Sequence, residues 1–495
     1  MPPQPPEPNA HGGPPEARGA FQQALQFQAQ GRRLEAARSY LRALELSPAF
    51  YEAAFNLGRL FQDMAKLGEA IACYRQALHA KPDFGPAWGN LGVALRTSRQ
   101  TEAAIASLRR ALLLQPAAPD LLNNLGLALR TGQQHAEAIT CFTRALGHAP
   151  GDAEIRLNLG NTFREAGRPA EAADALREAI RLRPDFAEAH WDLAFALLLQ
   201  GDFPSGFEEY EWRWRRPDNQ PRQLTAPLWR GENPAGRRLL VYAEQGAGDA
   251  IQFVRFVRNL AERGARVVLE CPTALAALFA TVEGAEAVVC RGAALPECDW
   301  QVPLLSLAHR LGVTLGSIPN TVPYLRPPRE RRLGLSNSGK PGGRLKVGIV
   351  WQGNPQHEND RQRSLPFGLL ESVLSLPGVA FYSLQVPAAP EGARPSAGGE
   401  SLIDLSGLIH DFADTAALVS QLDLVISVDT SVAHLAGALG RPVWLLLPFA
   451  PDWRWLLGRN DSPWYPTARL FRQPAAGDWR SVLQEVREAL LAGRP

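Results

Sequence analysis

Through the first two hundred positions the apolar and small residues recur on a fixed period of 34. Asn-Leu-Gly stands at Asn56, Asn90, Asn124 and Asn158, and Asp192-Leu-Ala keeps the phase. Alanines at Ala36, Ala70, Ala104, Ala138 and Ala172 mark places where two helices must cross closely. Tyr40, Tyr74, Leu108, Phe142, Leu176 and Tyr210 supply a large side chain just after them. Prolines at Pro48, Pro82, Pro116, Pro150 and Pro184 would each end a second helix. The pattern predicts helix–turn–helix units stacked into a solenoid, six of them between about residues 17 and 217. The sixth departs from the rule. Gly206 replaces the small alanine, and Trp212 and Trp214 enter the second helix, as in a cap packed on the next domain.

The pattern changes after a Pro/Trp/Gly-rich connector at residues 221–236. Near-continuous aliphatic runs replace the helical period, beginning at Arg238-Leu-Leu-Val-Tyr and continuing at residues 266–270, 287–290 and 299–302. Such runs suit parallel strands covered on both faces. A helix is expected after the first strand, reaching about Arg263. A polar stretch at residues 327–343 separates this unit from a second one, which opens on Lys346-Val-Gly-Ile-Val-Trp351. Further strands are expected at 379–385, 402–405, 423–428 and 443–447, and a last helix over 479–491 is expected to cross back and tie the two lobes together. The expected boundaries are a disordered tail (1–16), repeats (17–217), a connector (218–237), a first α/β lobe (238–328), a linker (329–343) and a second lobe (344–495).

Bulk properties narrow the function classes. The 495 residues carry 52 Lys+Arg against 50 Asp+Glu, so no polybasic footprint points to nucleic acid or an anionic membrane. Five scattered cysteines without Cys-x-x-Cys spacing read as small buried hydrophobes in a reducing compartment. Seven prolines in the first sixteen residues argue against a signal peptide, and no apolar run approaches bilayer length. The expectation is a soluble, cytoplasmic protein without an integral membrane segment.

Chemistry concentrates at Val428-Asp429-Thr430-Ser431-Val-Ala-His434, a polar turn between two aliphatic strands. It lies at a strand's carboxyl end, where open α/β sheets bind ligands. Backbone N–H groups at a helix start, with the Thr430 and Ser431 hydroxyls, suit a diphosphate, and His434 projects from about one turn further in. The plain alternative is that Asp429 and Thr430 cap the helix and His434 is a satisfied core histidine.

Asp-Thr-Ser-x-x-His-x-Ala followed by Ala-Leu-Gly-Arg-Pro-Val resembles the donor-binding motif of the heptosyltransferase-like glycosyltransferases, over roughly residues 238–490. Ser431 stands where that family usually has glycine. The resemblance implies a GT-B fold of two Rossmann-like lobes, a nucleotide-sugar donor and an inverting, metal-independent reaction. It implies no cofactor, because the nucleotide sugar is a substrate; the lack of an Asp-x-Asp motif accords with this. Carried onto Glu244-Gln-Gly246-Ala-Gly248-Asp249, the resemblance makes Asp249 the general base, with Glu244 in reserve. An ordinary helix N-cap remains the other reading of Asp249. A nicotinamide site using Glu270 is disfavoured because Ile251 occupies the place of the third fingerprint glycine.

In the same resemblance Arg363, in the loop with Arg361, neutralises donor phosphates. Trp464 and Tyr465, in an aromatic-rich tail with Asp452 and Arg454, would flank a base or sugar, or else pack internally. The donor set is thus Arg363, Asp429, Thr430, Ser431, His434 and Trp464, with Asp249 and His434 catalytic. On the repeats, Asn56, Asn90, Asn124 and Asn158 form a ladder able to grip a peptide backbone, since a carboxamide both donates and accepts. The same asparagines serve equally well as packing residues. A tetratricopeptide array joined to a GT-B half is similar in architecture to protein O-GlcNAc transferases. The expected activity is sugar transfer to a protein or peptide acceptor recruited by the repeats. The alternatives are a non-catalytic scaffold with a degenerate transferase half, or a transferase acting on a surface glycan or lipopolysaccharide.

Overall fold

The computed structural model describes residues 13–331, 333–335, 344–356, 360–386 and 402–493. The chain divides at Phe186/Ala187 into two compact units. Among the described residues the first holds ten helices: α1 (Pro15–Ala29), α2 (Arg33–Leu46), α3 (Tyr51–Asp63), α4 (Leu67–Ala80), α5 (Gly85–Thr97), α6 (Thr101–Leu114), α7 (Pro119–Thr131), α8 (His135–His148), α9 (Ala153–Glu165) and α10 (Pro169–Leu182). These are five helix pairs in the predicted phase. The expected tail lies outside the described residues as far as 12, and helix begins at Pro15.

The repeat motif has a steric cause. A Cβ at Gly58 would lie 2.7 Å from Tyr74 Cε1, and one at Gly92 would lie 2.5 Å from Leu108 Cγ. Gly126 and Gly160 stand in the same relation to Phe142 and Leu176. The glycine of each Asn-Leu-Gly therefore admits the large side chain of the second helix. Tyr74, Leu108, Phe142 and Leu176 are completely buried there, and Tyr40 is equally buried in the first repeat, where Ala24 holds the glycine position. Each stabilises its repeat by about 1.5–3 kcal/mol through burial.

The sixth pair, α11 (Ala187–Leu199) and α12 (Phe203–Tyr210), belongs to the second unit. Sequence periodicity groups it with the repeats, whereas packing groups it with the α/β region. Leu198, Phe203, Phe207 and Tyr210 share one core with Leu239, Phe253, Trp453 and Trp464. Here even the alanine position of the second helix has no room for a methyl group: a Cβ at Gly206 would lie 2.6 Å from Leu198 Cγ.

Two parallel sheets complete the second unit. The first has the order β3-β2-β1-β4, from β1 (Arg238–Tyr242), β2 (Arg266–Cys271), β3 (Ala285–Cys290) and β4 (Trp300–Pro303). The second has the order β10-β9-β8-β5-β6-β7. Its strands are β5 (Leu345–Val350), β6 (Val379–Ser383), β7 (Ile403–Asp404), β8 (Leu424–Val428), β9 (Val443–Leu447) and β10 (Ala468–Arg472). The architecture is a helical repeat solenoid followed by an α/β region with two parallel sheets, consistent with GT-B.

Three expectations need correction. β10 is absent from the expected strands; it extends the second sheet beside β9. The helix expected to run to Arg263 is broken between Ala247–Phe253 and Phe256–Glu262. The helix Trp479–Leu491 does not tie the lobes together. Its apolar side, Val482, Leu483, Val486 and Leu490, packs with Val347, Ile426 and Trp444 of the second sheet, because that stripe is fully used in covering one sheet face.

Candidate active site

The two polar turns singled out in the sequence come together. β1 leads through Glu244 to Gly246 and the helix Ala247–Phe253, while β8 leads through Asp429 and Thr430 to the helix Ser431–Ala438. A Cβ at Gly248 would lie 3.0 Å from His434 Cδ2 and 3.5 Å from Ser431 Cα, so the turns touch and glycine is what lets them.

On the first turn Gly246, not Asp249, is the helix N-cap; Asp249 stands at the third helical position, and its Oδ2 reaches back to accept the Gly246 N–H at 3.1 Å. Its other oxygen, Oδ1, accepts from the Arg454 guanidinium, 205 residues away in sequence. Arg454 also donates to Asp452 at 2.9 Å and to the buried Gln252. Burial works against the Arg454 cation, but Asp452 and Asp249 outweigh it and hold the group charged.

On the second turn, His434 is 5 % exposed and shares a 2.9 Å hydrogen bond between Nδ1 and the Tyr465 hydroxyl. Its Nε2 stands 3.8 Å from Asp429 Oδ1, and its ring stacks against Trp455. Burial, with Arg454, Arg255 and Arg363 nearby, pushes the imidazole pKa well below the usual value. The ring is therefore neutral near pH 7 and carries a single N–H. Burial first, and the Asp452 carboxylate second, raise Asp429 to about 6, against the pull of Trp455, Arg454 and Arg363. The Thr430 hydroxyl lies 2.9 Å from that of Ser427, and both Thr430 and Ser431 remain partly exposed. Gly437 seats the tyrosine, since a Cβ there would meet Tyr465 Cδ1 at 2.3 Å.

Arg363 reaches the same neighbourhood, close enough to act electrostatically on both Asp429 and His434. Asp360 holds its Nε at 3.3 Å. The residues 357–359 and the side chain of Arg361 lie outside the described residues. Asp249, Arg363, Asp429, Thr430, Ser431 and His434 thus surround one place, and Arg454 joins them as its most heavily engaged cation.

Trp464 does not belong to this set. Its ring is completely buried, stacks on Phe203 at 5.6 Å and packs edge-on to Trp453 at 5.9 Å. It joins the sixth helix pair to the α/β region and has no face left for a base or sugar. Glu244, the reserve candidate, is engaged elsewhere: its buried carboxylate pairs with Arg213 at 3.1 Å, and burial pushes it up to about 7. Glu270 is 1 % exposed and ion-paired with Arg222, which removes it as a ribose partner. Sequence gives Arg454 only a secondary place and does not single out Gln252 or Arg255. Two arginines within an aromatic, otherwise core-like setting are the available signal.

On the repeats, all four ladder asparagines are half-buried. Asn56 Nδ2 donates to Glu52 O at 2.9 Å, Asn90 lies close to the Tyr74 hydroxyl, and Asn158 Nδ2 donates to Asn123 at 3.0 Å. The Asn158–Asn123 bond links one repeat to the next, whereas that of Asn56 stays within its own helix. A carboxamide supports about four hydrogen bonds, so these contacts do not exhaust it.

Comparison with known proteins agrees with this division. Two tetratricopeptide repeat models match residues 118–185, and 56–120 with 157–220. The model of glycosyltransferase family 9 (heptosyltransferase) matches residues 408–446, which contain Asp429 and His434. The chain is 30% identical over 334 residues to protein FlbA of Caulobacter vibrioides, a match covering 62% of this chain and 55% of that protein. It spans about half the length of that relative. Among solved structures, the MamA protein is similar over 35% of this chain and 94% of its own, at 22% identity and TM-score 0.33. YrrB, described as a TPR protein with an unusual peptide-binding site, is similar over 35% and 89%, at 25% identity and TM-score 0.33. No helix among the described residues is long and apolar enough to cross a membrane.

Proposed function

We propose that this chain, a tetratricopeptide-repeat protein carrying a glycosyltransferase family 9 domain, moves a sugar from a nucleotide-activated donor to a protein acceptor recruited by its repeats. The carrying observation is the meeting of the two turns, with three buried or half-buried ionisable groups and two arginines around one point. Charges are costly to bury, and perturbed groups gathered in a cleft mark functional sites.

In this reading the donor diphosphate lies at the start of the helix Ser431–Ala438, against its free N–H groups and the Thr430 and Ser431 hydroxyls. Arg363 and Arg454 take up the negative charge that grows as the bond from the anomeric carbon to phosphate oxygen breaks. Neutral His434 donates its one N–H to that oxygen. The acceptor hydroxyl attacks the anomeric carbon and passes its proton to the Asp249 carboxylate, forming the new glycosidic bond. Arg454 is shared between Asp249 and Asp452 before donor binds. Engagement with phosphate draws it from Asp249 and raises the basicity of that carboxylate.

The test is intact-mass analysis of soluble proteins that co-purify with the full chain, after incubation with UDP-, GDP-, ADP- and CMP-sugars. A mass increase of one sugar residue on a partner, absent with Asp249→Asn, supports the proposal. Sugar appearing only on glycan or lipid fractions would replace the protein acceptor with a glycan one.

A further inference from the structure

The five repeats of the first unit fall into two classes at one position. In the first two, the large residue of the second helix is tyrosine, and its hydroxyl donates to a glutamine on the first helix: Tyr40 to Gln28 at 2.7 Å and Tyr74 to Gln62 at 2.8 Å. Each pair closes its repeat with a satisfied polar contact. In the next three repeats the glutamine becomes arginine, at Arg96, Arg130 and Arg164, and the tyrosine becomes Leu108, Phe142 and Leu176. The ring or chain still fills the space over glycine, but no hydroxyl extends to meet the residue beyond it.

Arg96 and Arg130 are left with unmet needs. Arg96 Nε and Arg130 Nη1 are buried with no hydrogen-bond partner among the described residues. Among those residues no carboxylate pairs with Arg96, and Arg130 has only Glu165, at 3.8 Å. Burial and the neighbouring Arg130 both push the Arg96 pKa down, so two cations on successive first helices sit near each other and half out of water. Arg96 is the sole charged residue of α5, and the single acid of α7, Asp120, is at the opposite end of that helix. An arginine in a last turn also suits the helix dipole, but a fully solvated head group would serve that as well. Holding two like charges half-buried costs stability unless something opposes them.

We infer that Arg96 and Arg130 form an anion-reading site on the repeats that takes the side-chain carboxylates of an extended acidic peptide. Guanidinium groups suit the occupant because their forked donors bind carboxylates bidentately. Like charges aligned from repeat to repeat match a segment bearing several acids in a row, and the glutamine–tyrosine repeats beside them set one end of the acidic stretch. The inference rests on the reading of the repeats as an acceptor-recruiting surface and gives that acceptor a chemical character.

The test uses the full chain and fluorescein-labelled hexaglutamate, with hexaserine as the neutral control, read by fluorescence anisotropy at low salt. The combined variant Arg96→Gln/Leu108→Tyr/Arg130→Gln/Phe142→Tyr copies the closed pairs of the first two repeats and should keep the melting temperature. Hexaglutamate should bind the wild-type chain at least about ten-fold more tightly than hexaserine, and the combined variant should lose about that factor. Arg96→Lys/Arg130→Lys, which keeps charge but not the fork, should lie between them and covers the case in which the four-fold variant misfolds. Equal binding by wild type and either variant, or no preference for hexaglutamate, overturns the inference. Nucleotide-sugar binding, measured on the same preparations, reports separately on the transferase reading. Retained donor binding with no acidic preference would discard the anion site alone.

Discussion

Both units carry exposed ion pairs, but the second also encloses charged residues in its interior. In the repeats, ion pairs such as Arg109–Glu137 and Arg181–Glu178 stand on the surface, with about half of each side chain exposed. Water screens them, and such pairs contribute little. The α/β region instead buries Arg213 completely, keeps Arg454 at 7 % exposure and encloses Asp429 and His434. A buried cation is tolerable only when every neighbour is placed to receive it. The repeats are therefore held by a periodic apolar core with its charges outside, while the second unit builds ion pairs into its interior. Arg96 and Arg130 stand out because they break the rule of the unit that contains them.

Substitutions sharpen the contrast. The largest stability effect is expected from Arg454→Ala, which strands Asp249 and Asp452 beside each other and should cost about 3–5 kcal/mol in a denaturant titration. Arg109→Ala in the repeats should leave the midpoint nearly unchanged, and equal losses at the two sites would erase the distinction. His434→Ala should cut turnover by about 100-fold, the scale of losing one donor to a developing anion, with the melting temperature little altered. Near-normal turnover in a folded variant would remove His434 from the chemistry.

Asn90→Ala/Asn124→Ala should weaken peptide-acceptor binding by about 1–3 kcal/mol if the ladder grips a backbone. The closeness of Asn90 to the Tyr74 hydroxyl implies some loss of melting temperature as well. Destabilisation with unaltered acceptor Kd would assign the ladder to packing. The smallest effect concerns pH. Asp429 is raised to about 6 in the fold, so the folded state holds that proton more tightly than the unfolded chain. Its contribution is fully present below the unfolded carboxylate range and is lost as pH climbs through about 6. Asp429→Asn should therefore flatten the decline in melting temperature between about pH 4 and 6, and an unchanged slope would mean another group governs it.

Legibility in the sequence divides along the same line. Helix pairing is legible because four successive repeats solve one steric problem in the same way, glycine facing a large side chain. Asp429 and His434 are legible as polar residues interrupting aliphatic strands, and Gly248–Asp249 as a turn after β1. The hidden features depend on distant contacts. The pairing of Arg454 with Asp249 joins positions 205 apart, and the seating of Tyr465 on Gly437 requires the fold. Trp464 looks like a ligand-stacking residue because tryptophan serves both recognition and core, and only its burial against Phe203 separates the two. β10 escapes sequence reading because Arg469 interrupts a short strand of only five residues.

Donor binding tests the second unit most directly. The measurement is a thermal-shift series of the full chain against UDP-, GDP-, ADP- and CMP-linked sugars, repeated with His434→Ala and Arg363→Ala. Saturating ligand at about 100 times its Kd should add about 2.7 kcal/mol of stability. The expected result is a clear rise in melting temperature with at least one nucleotide sugar and a much smaller one in both variants. No rise with any of the four, or a rise that both variants keep in full, would contradict a donor site at Asp429 and His434.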